Sequence, residues 1–134
     1  VDATLAHYRD RFGLSGVVQH AELDERCGYR YRGRPSRCRL KIGVIALDGV
    51  DLEFIEVLEG DHPARDHLQV YGEGVNHLGF FVDDVAAILR DIPPSFGEVA
   101  IEGTFKTDTG VSGRFVYLEN IAGGPMYEVM ALDS

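Results

Sequence analysis

No apolar run in this 134-residue chain approaches the roughly 20 residues that span a bilayer. The N-terminus lacks the basic-then-apolar pattern of a signal peptide, so no membrane partner is expected. Only two cysteines are present, Cys27 and Cys38. They could pair, but nothing else suggests a disulfide framework, and a reducing cytoplasm is the expected compartment. Positive charge is also scarce: 13 Lys and Arg against 22 Asp and Glu leave a net charge of −9, which argues against nucleic acid as a general partner. No Ser-His-Asp or Cys-His arrangement with a recognisable local signature occurs. Gly72-Glu73-Gly74 lacks the strand-to-helix context of a phosphate loop and reads as a turn.

What remains is ordinary for a globular protein: 45% hydrophobic and 26% charged residues. The length suits one domain, or two small modules sharing a core. The few cations are crowded, with Arg26, Arg30, Arg32, Arg34, Arg37, Arg39 and Lys41 in one short segment. Arg30, Arg32 and Arg34 have the period of one strand face. That face reads either as a solvated edge that resists aggregation or as a handle for an anionic carboxylate or phosphate ester.

Leu5, Tyr8 and Phe12 recur at helical spacing between Asp2 and Gly13. Leu14 to Ala21 reads as a strand, and Arg39–Leu47 and Val50–Leu58 flank the hairpin signal Asp48-Gly49. Asp61 to Val70 has weak helical character behind a proline. The pattern then restarts: a strand over 75–82, a helix from Val85 to Arg90 capped by Asp83-Asp84 and stopped by Pro93-Pro94, and strands at Val99–Phe105, Gly113–Leu118 and Met126–Leu132. The second half is β-α-β-β-β. The first is the same unit without its opening strand, and the chain starts at Val1 rather than Met, which suggests a truncated or processed start. Module 1 is expected over about 1–60, a linker over about 61–74 and module 2 over about 75–134.

Two apolar strands carry an ionisable residue. Val75, His77, Gly79 and Phe81 share one face of their strand, and Met126, Glu128 and Met130 share one face of theirs. A third mixed face holds Asp51, Glu53, Ile55 and Val57. Ionisable groups so placed are costly unless paired or bound to metal. A lone strand histidine is more often a hydrogen-bonded core residue than a ligand, and Glu53 is the weakest of the three. His7 and His20 lie in elements that read as packing or surface.

Leu52-Glu53-Phe54-Ile55-Glu56, then Gly72 to Asp84 with its Asn76-His77-Leu78-Gly79 centre, then Met126-Tyr127-Glu128-Val129 together resemble the vicinal-oxygen-chelate superfamily. That superfamily includes glyoxalase I, methylmalonyl-CoA epimerase, extradiol dioxygenases and bleomycin-resistance proteins. The resemblance covers nearly the whole chain and is greatest to the methylmalonyl-CoA epimerase-like branch. It implies an α+β fold of two paired βαβββ modules in a curled mixed sheet, the first module lacking its leading strand. It further implies a divalent metal (Zn, Ni, Co, Mn or Fe) held by Glu53, His77 and Glu128, with an early histidine ligand falling before Val1. Glu128 would also be the catalytic proton carrier. A second carboxylate of the epimerases falls at Lys41, or at Arg39, where this chain has no acid. Arg32 and Lys41 would then contact an anionic or carbonyl-bearing small-molecule substrate, possibilities that leave the reaction open among epimerase, isomerase and lyase through an enolate. The alternatives are a metal-free small-molecule-binding protein of the antibiotic-sequestering kind and a non-haem iron extradiol dioxygenase. A homodimer is expected by the same analogy.

Overall fold

The computed structural model describes residues 1–93 and 97–134. Among them lie three α-helices and nine strands, an α+β architecture as expected. Helix α1 (Asp2–Phe12) ends at Gly13, whose φ of 68° is the left-handed C-cap that side-chain-bearing residues avoid. Strands β1 (Val17–Leu23), β4 (Cys38–Ala46) and β5 (Asp51–Gly60) form an antiparallel sheet in the order β1-β4-β5. Between β1 and β4 lie a short 3-10 helix (Glu25–Cys27) and the two-residue strands β2 (Arg30–Tyr31) and β3 (Arg34–Pro35). Helix α2 (Pro63–Tyr71) leads to β6 (His77–Phe81), α3 (Val85–Asp91), β7 (Val99–Lys106), β8 (Ser112–Leu118) and β9 (Met126–Leu132).

The second sheet has the order β3-β2-β7-β8-β9-β6, with β6 parallel to β9 and the other pairs antiparallel. The run β7-β8-β9 repeats β1-β4-β5, while β6 has no counterpart beside β5 among the described residues. The internal repeat read from the sequence is therefore present, and among the described residues β5 is an edge strand of its sheet.

One expectation fails at the arginine-rich segment. Arg30, Arg32 and Arg34 do not line a strand face: Arg32 (φ 48°) and Gly33 (φ 81°) form the two-residue turn between β2 and β3. Two successive positive φ values suit the twist of a tight hairpin. The hairpin leaves its own half and docks on the other, pairing Arg30 with Glu102 and Tyr31 with Ile101. Strand β1 starts three residues later than the apolar pattern suggests. Gly16, just before it, lies so close to α1 and β4 that an added Cβ would stand 2.7 Å from Leu5 and 2.9 Å from the Val44 carbonyl.

The main core joins both halves. Tyr29, Cys38 and Leu40 from the first half pack with Ala100, Ile101, Phe115 and Tyr117 from the second. Tyr29 is 1% exposed and its hydroxyl donates to the Asp61 carbonyl at 2.7 Å, so its one polar atom is satisfied. A second cluster places α3 on the opposite face of the large sheet, where Val85 meets Val116, Leu118 and Val129. Burying each such aliphatic side chain stabilises the fold by about 1.5–3 kcal/mol. The Asp84 carboxylate accepts from the Ala86 and Ala87 amides at the start of α3, as its sequence position suggests. Helix α3 stops before Ile92 and Pro93; Pro94, the other half of the expected stop signal, lies outside the described residues. Cys27 and Cys38 are both free thiols.

The candidate active site

Strand alternation aims three ionisable side chains at the shared core. On β5, Ile55 and Val57 pack inward, so Glu53 shares their face. On β9, Met126 and Met130 pack inward and Val129 packs outward, which turns Glu128 inward. His77 opens β6 opposite Met126, and Gly79 lies opposite Glu128.

The result is a cluster centred on one imidazole. His77 Nε2 lies 3.4 Å from Glu128 Oε2 and 3.7 Å from Glu53 Oε1. Residues 24 and 51 positions apart in the sequence thus meet through closure of the two halves. Glu53 and Glu128 are each the third residue of the last strand in their half, so the internal repeat relates them. The other ring nitrogen, Nδ1, lies 3.2 Å from the Asn76 amide oxygen. With its proton on Nδ1, the ring presents the Nε2 lone pair to the two acids.

Burial governs the protonation of the group. It is the main reason the Glu128 carboxyl is pushed up to about 8; the nearby Glu53 charge adds to the rise and a hydrogen bond from Tyr117 opposes it. Glu53 is raised by burial and by Asp51, although its side chain is 38% exposed and solvent screens part of this effect. His77, 10% exposed, is lowered by burial to about 4. At neutral pH the cluster is a neutral imidazole beside a mostly protonated Glu128. Among the described residues no cationic side chain offsets either acid.

Two further members were not singled out as site residues in the sequence. Tyr117, directly across the strand pair from Glu128, places its hydroxyl 3.5 Å from His77 Nε2. Its alternation with Phe115 on β8 was the available signal, but aromatic residues on such strands are usually core. His62, 2% exposed, packs edge-on against Tyr117 with ring centres 5.8 Å apart. It also caps α2, where Ser, Thr, Asp or Asn is usual, and no sequence pattern marks it.

Arg32 and Lys41 are not part of the cluster. Lys41 faces away from it, since Leu40 and Ile42 on either side point into the core, and it pairs with Asp2 of α1. Arg32 is engaged by Glu119 and, at 3.6 Å, by Asp66. It lines a groove of about 300 Å³ with Asp66, His67, Asn76 and Glu119, where its charge is already matched. His7 lies on α1 and His20 on the outer face of β1, opposite Lys41, so neither joins the cluster.

The donor types, one imidazole nitrogen and two carboxyl groups, are ones that a divalent cation such as zinc accepts. As arranged, however, among the described residues no group of three His, Cys, Asp or Glu side chains closes into a cage that could hold one.

No family model matches the chain, and comparison with curated proteins finds no match. Solved structures do match. A variant of Streptomyces coelicolor methylmalonyl-CoA epimerase in complex with 2-nitronate-propionyl-CoA is 24% identical, with TM-score 0.62, covering 100% of this chain and 90% of its own. A methylmalonyl-CoA epimerase bound to methylmalonyl-CoA and NH4+ is 25% identical, with TM-score 0.61, covering 98% and 85%. The Mycobacterium tuberculosis methylmalonyl-CoA epimerase is 17% identical, with TM-score 0.61, covering 99% and 81%. The fold is the glyoxalase-like, vicinal-oxygen-chelate fold that these epimerases share.

Proposed function

We propose that the protein is a metal-dependent epimerase or isomerase of the glyoxalase type, acting on an acyl-CoA or similar carbonyl compound through an enolate. The observation that carries this reading is the meeting of Glu53, His77 and Glu128 from three separate strands around His77 Nε2. Support comes from the solved epimerases with the same fold, one of them bound to methylmalonyl-CoA.

In this reading Glu53, His77 and Glu128 are the residues that would hold a divalent cation. When bound, the ion supplies Lewis-acid stabilisation of negative charge on a substrate carbonyl oxygen. The Asn76 contact keeps His77 in the tautomer with a free Nε2 lone pair. Glu128, as the carboxylate that a bound cation would favour, takes the proton from the carbon next to the carbonyl and returns it. Epimerisation also needs a proton carrier on the second face of that carbon. Lys41 is turned away, so Glu53, the second acid beside His77 Nε2, takes that role.

An iron dioxygenase would use two histidines and one carboxylate. The second histidine near the cluster, His62, already accepts the Ala64 amide on Nδ1 and is fixed within the core, so the donor set favours the epimerase reading.

The test is deuterium exchange. With Co²⁺ and branched acyl-CoA thioesters in D2O, the protein should wash deuterium into the carbon next to the thioester carbonyl, read by mass spectrometry. Glu128→Gln should slow this by about 10²–10⁴-fold. Absence of exchange with any divalent metal across acyl-CoA and 2-oxoaldehyde substrates would overturn the proposal. Tight binding of an unaltered small molecule without metal would put the sequestering reading in its place.

A further inference from the structure

The face of the large sheet that carries His77 and Glu128 continues past them, and its polarity changes along the strands. In the His77 row, Met126 and the adjoining Asn76 also line the polar groove that holds Arg32, Asp66 and Glu119. The next row is Gly79, Glu128 and Tyr117. One row further, Phe81 pairs with Met130 and Met130 with Phe115, and Leu132 follows on β9. Alternation puts these four on the Glu128 side. Met130 and Phe115 pack in the main core, while Phe80 turns to the other face, against Tyr127. Successive rows are about 7 Å apart, a distance that a short alkyl chain or a phenyl ring covers.

This far end is apolar, open and without positive charge. Phe81 is 69% exposed and Leu132 53%, so two large apolar side chains on the face of the site meet solvent. Gly79, between His77 and Phe81, puts no side chain between the cluster and this end. Strands β6 and β9 contain no Lys or Arg. Arg114 of β8 and Lys106 of β7 alternate with Phe115 and Phe105, which pack inward, and so lie on the opposite face. A carboxylate drawn to Phe81 would lose water and find no cation in its place, whereas a hydrocarbon there leaves water for apolar neighbours.

We propose that Phe81, with Met130 and Leu132, forms a subsite for a hydrocarbon substituent on the reacting carbon of the substrate. This rests on the reading of Glu128 as the proton carrier, which sets that carbon between the two ends of the face. The ligand then lies along the strands, its polar arm toward the Arg32 groove and its alkyl or aryl group over Gly79 toward Phe81. The substrate class is a thioester whose reacting carbon bears an uncharged aliphatic or aromatic group, and a carboxylate in that position is disfavoured. Met130 is the adaptable member, because an unbranched thioether shifts to follow tails of different shape. Phe81 is the wall that decides how much of the tail is covered.

The chain has two methionines, Met126 and Met130, one in the His77 row and one in the Phe81 row, so ¹³C-methyl methionine labelling reports on both. The signals are assigned through Met130→Leu. The N-acetylcysteamine thioesters of 2-methylbutanoate and of methylmalonate are titrated in turn, once with Zn²⁺ and once with chelator. The 2-methylbutanoyl thioester should move the Met130 signal saturably and bind about tenfold more tightly than the charged one. Phe81→Ala, at an exposed position, should keep a native circular dichroism spectrum and lose that preference, and Phe81→Leu should retain most of it. A Met130 signal that the 2-methylbutanoyl thioester leaves unmoved under both conditions, or tighter binding of the methylmalonyl thioester, would overturn the subsite. Saturable movement of Met130 in a protein that exchanges no deuterium supports the subsite and removes the enzymatic reading.

Discussion

Replacing His77 with alanine is expected to abolish stabilisation by divalent metal. The imidazole is the hub of the cluster: both short spacings, 3.4 Å to Glu128 and 3.7 Å to Glu53, run to its Nε2. Without it the cluster loses its nitrogen donor. Wild-type protein with Co²⁺ at one hundred times its dissociation constant should gain about 2.7 kcal/mol. For a domain of this size that is a rise of about 10 °C in melting temperature. The His77→Ala protein should melt at the same temperature with Co²⁺ as with chelator. Glu128→Ala should behave alike, and Glu53→Ala should lose less, because its half-exposed carboxyl is the easiest for water to replace. A metal-induced rise that survives in His77→Ala would end the metal assignment.

The second large effect is on the pH dependence of the chelated protein. His62 and His77 are each lowered from 6.5 to about 4 by burial, so the unfolded chain binds more protons there than the folded one. Their contribution is complete above pH 6.5 and is lost as pH falls toward 4. Glu128 works the other way. Its carboxyl rises from 4.5 to about 8, so the folded protein holds a proton that the unfolded chain has released. That contribution is complete below pH 4.5 and is lost as pH climbs to 8. Between 4.5 and 6.5 the two histidines oppose Glu128 and the raised Glu53, which acts in the same direction as Glu128; above 6.5 Glu128 is the main contributor. Stability by urea unfolding should therefore peak near pH 6.5 and decline on both sides, by an amount on the order of a few kcal/mol toward pH 8. Glu128→Gln should remove the alkaline decline, and bound Co²⁺ should reverse it by favouring the carboxylate. Chelated wild-type stability that climbs steadily from pH 6.5 to 8 would contradict this account.

The parts of the fold and site legible in the sequence were those written locally. The Asp48-Gly49 turn, the Asp84 cap and the bounds of β9 follow from turn chemistry and period-two alternation. His77 and Glu128 stood out because each interrupts an apolar strand, and the same alternation gave the face on which each lies. What was hidden depends on distant partners. Arg-x-Arg-x-Arg imitates a strand face, yet Arg32-Gly33 is a turn because β2 and β3 are two-residue strands whose real support is β7, some seventy residues away. Arg32 then meets Glu119 and Asp66, which no local pattern announces. His62 was hidden for a related reason: its importance comes from an aromatic neighbour on β8, not from the helix it begins.

The small hairpin that leaves one half of the molecule to pair with the other has a further consequence, for the order in which the chain acquires structure. Because Tyr31 joins Ile101 and Arg32 donates to the Ala100 carbonyl, the edge of the large sheet is finished by residues made long before it. Contacts so remote in sequence carry a large loop-closure entropy and form late, so neither half reaches its final state alone. The same tie works in reverse in the finished protein. An opening that frees the hairpin exposes β7 and loosens the first half at once, which makes the two repeats one cooperative unit for hydrogen exchange rather than two. Glu53 and Glu128, one from each repeat, are thereby held to His77 by a strap that lies outside the cluster itself.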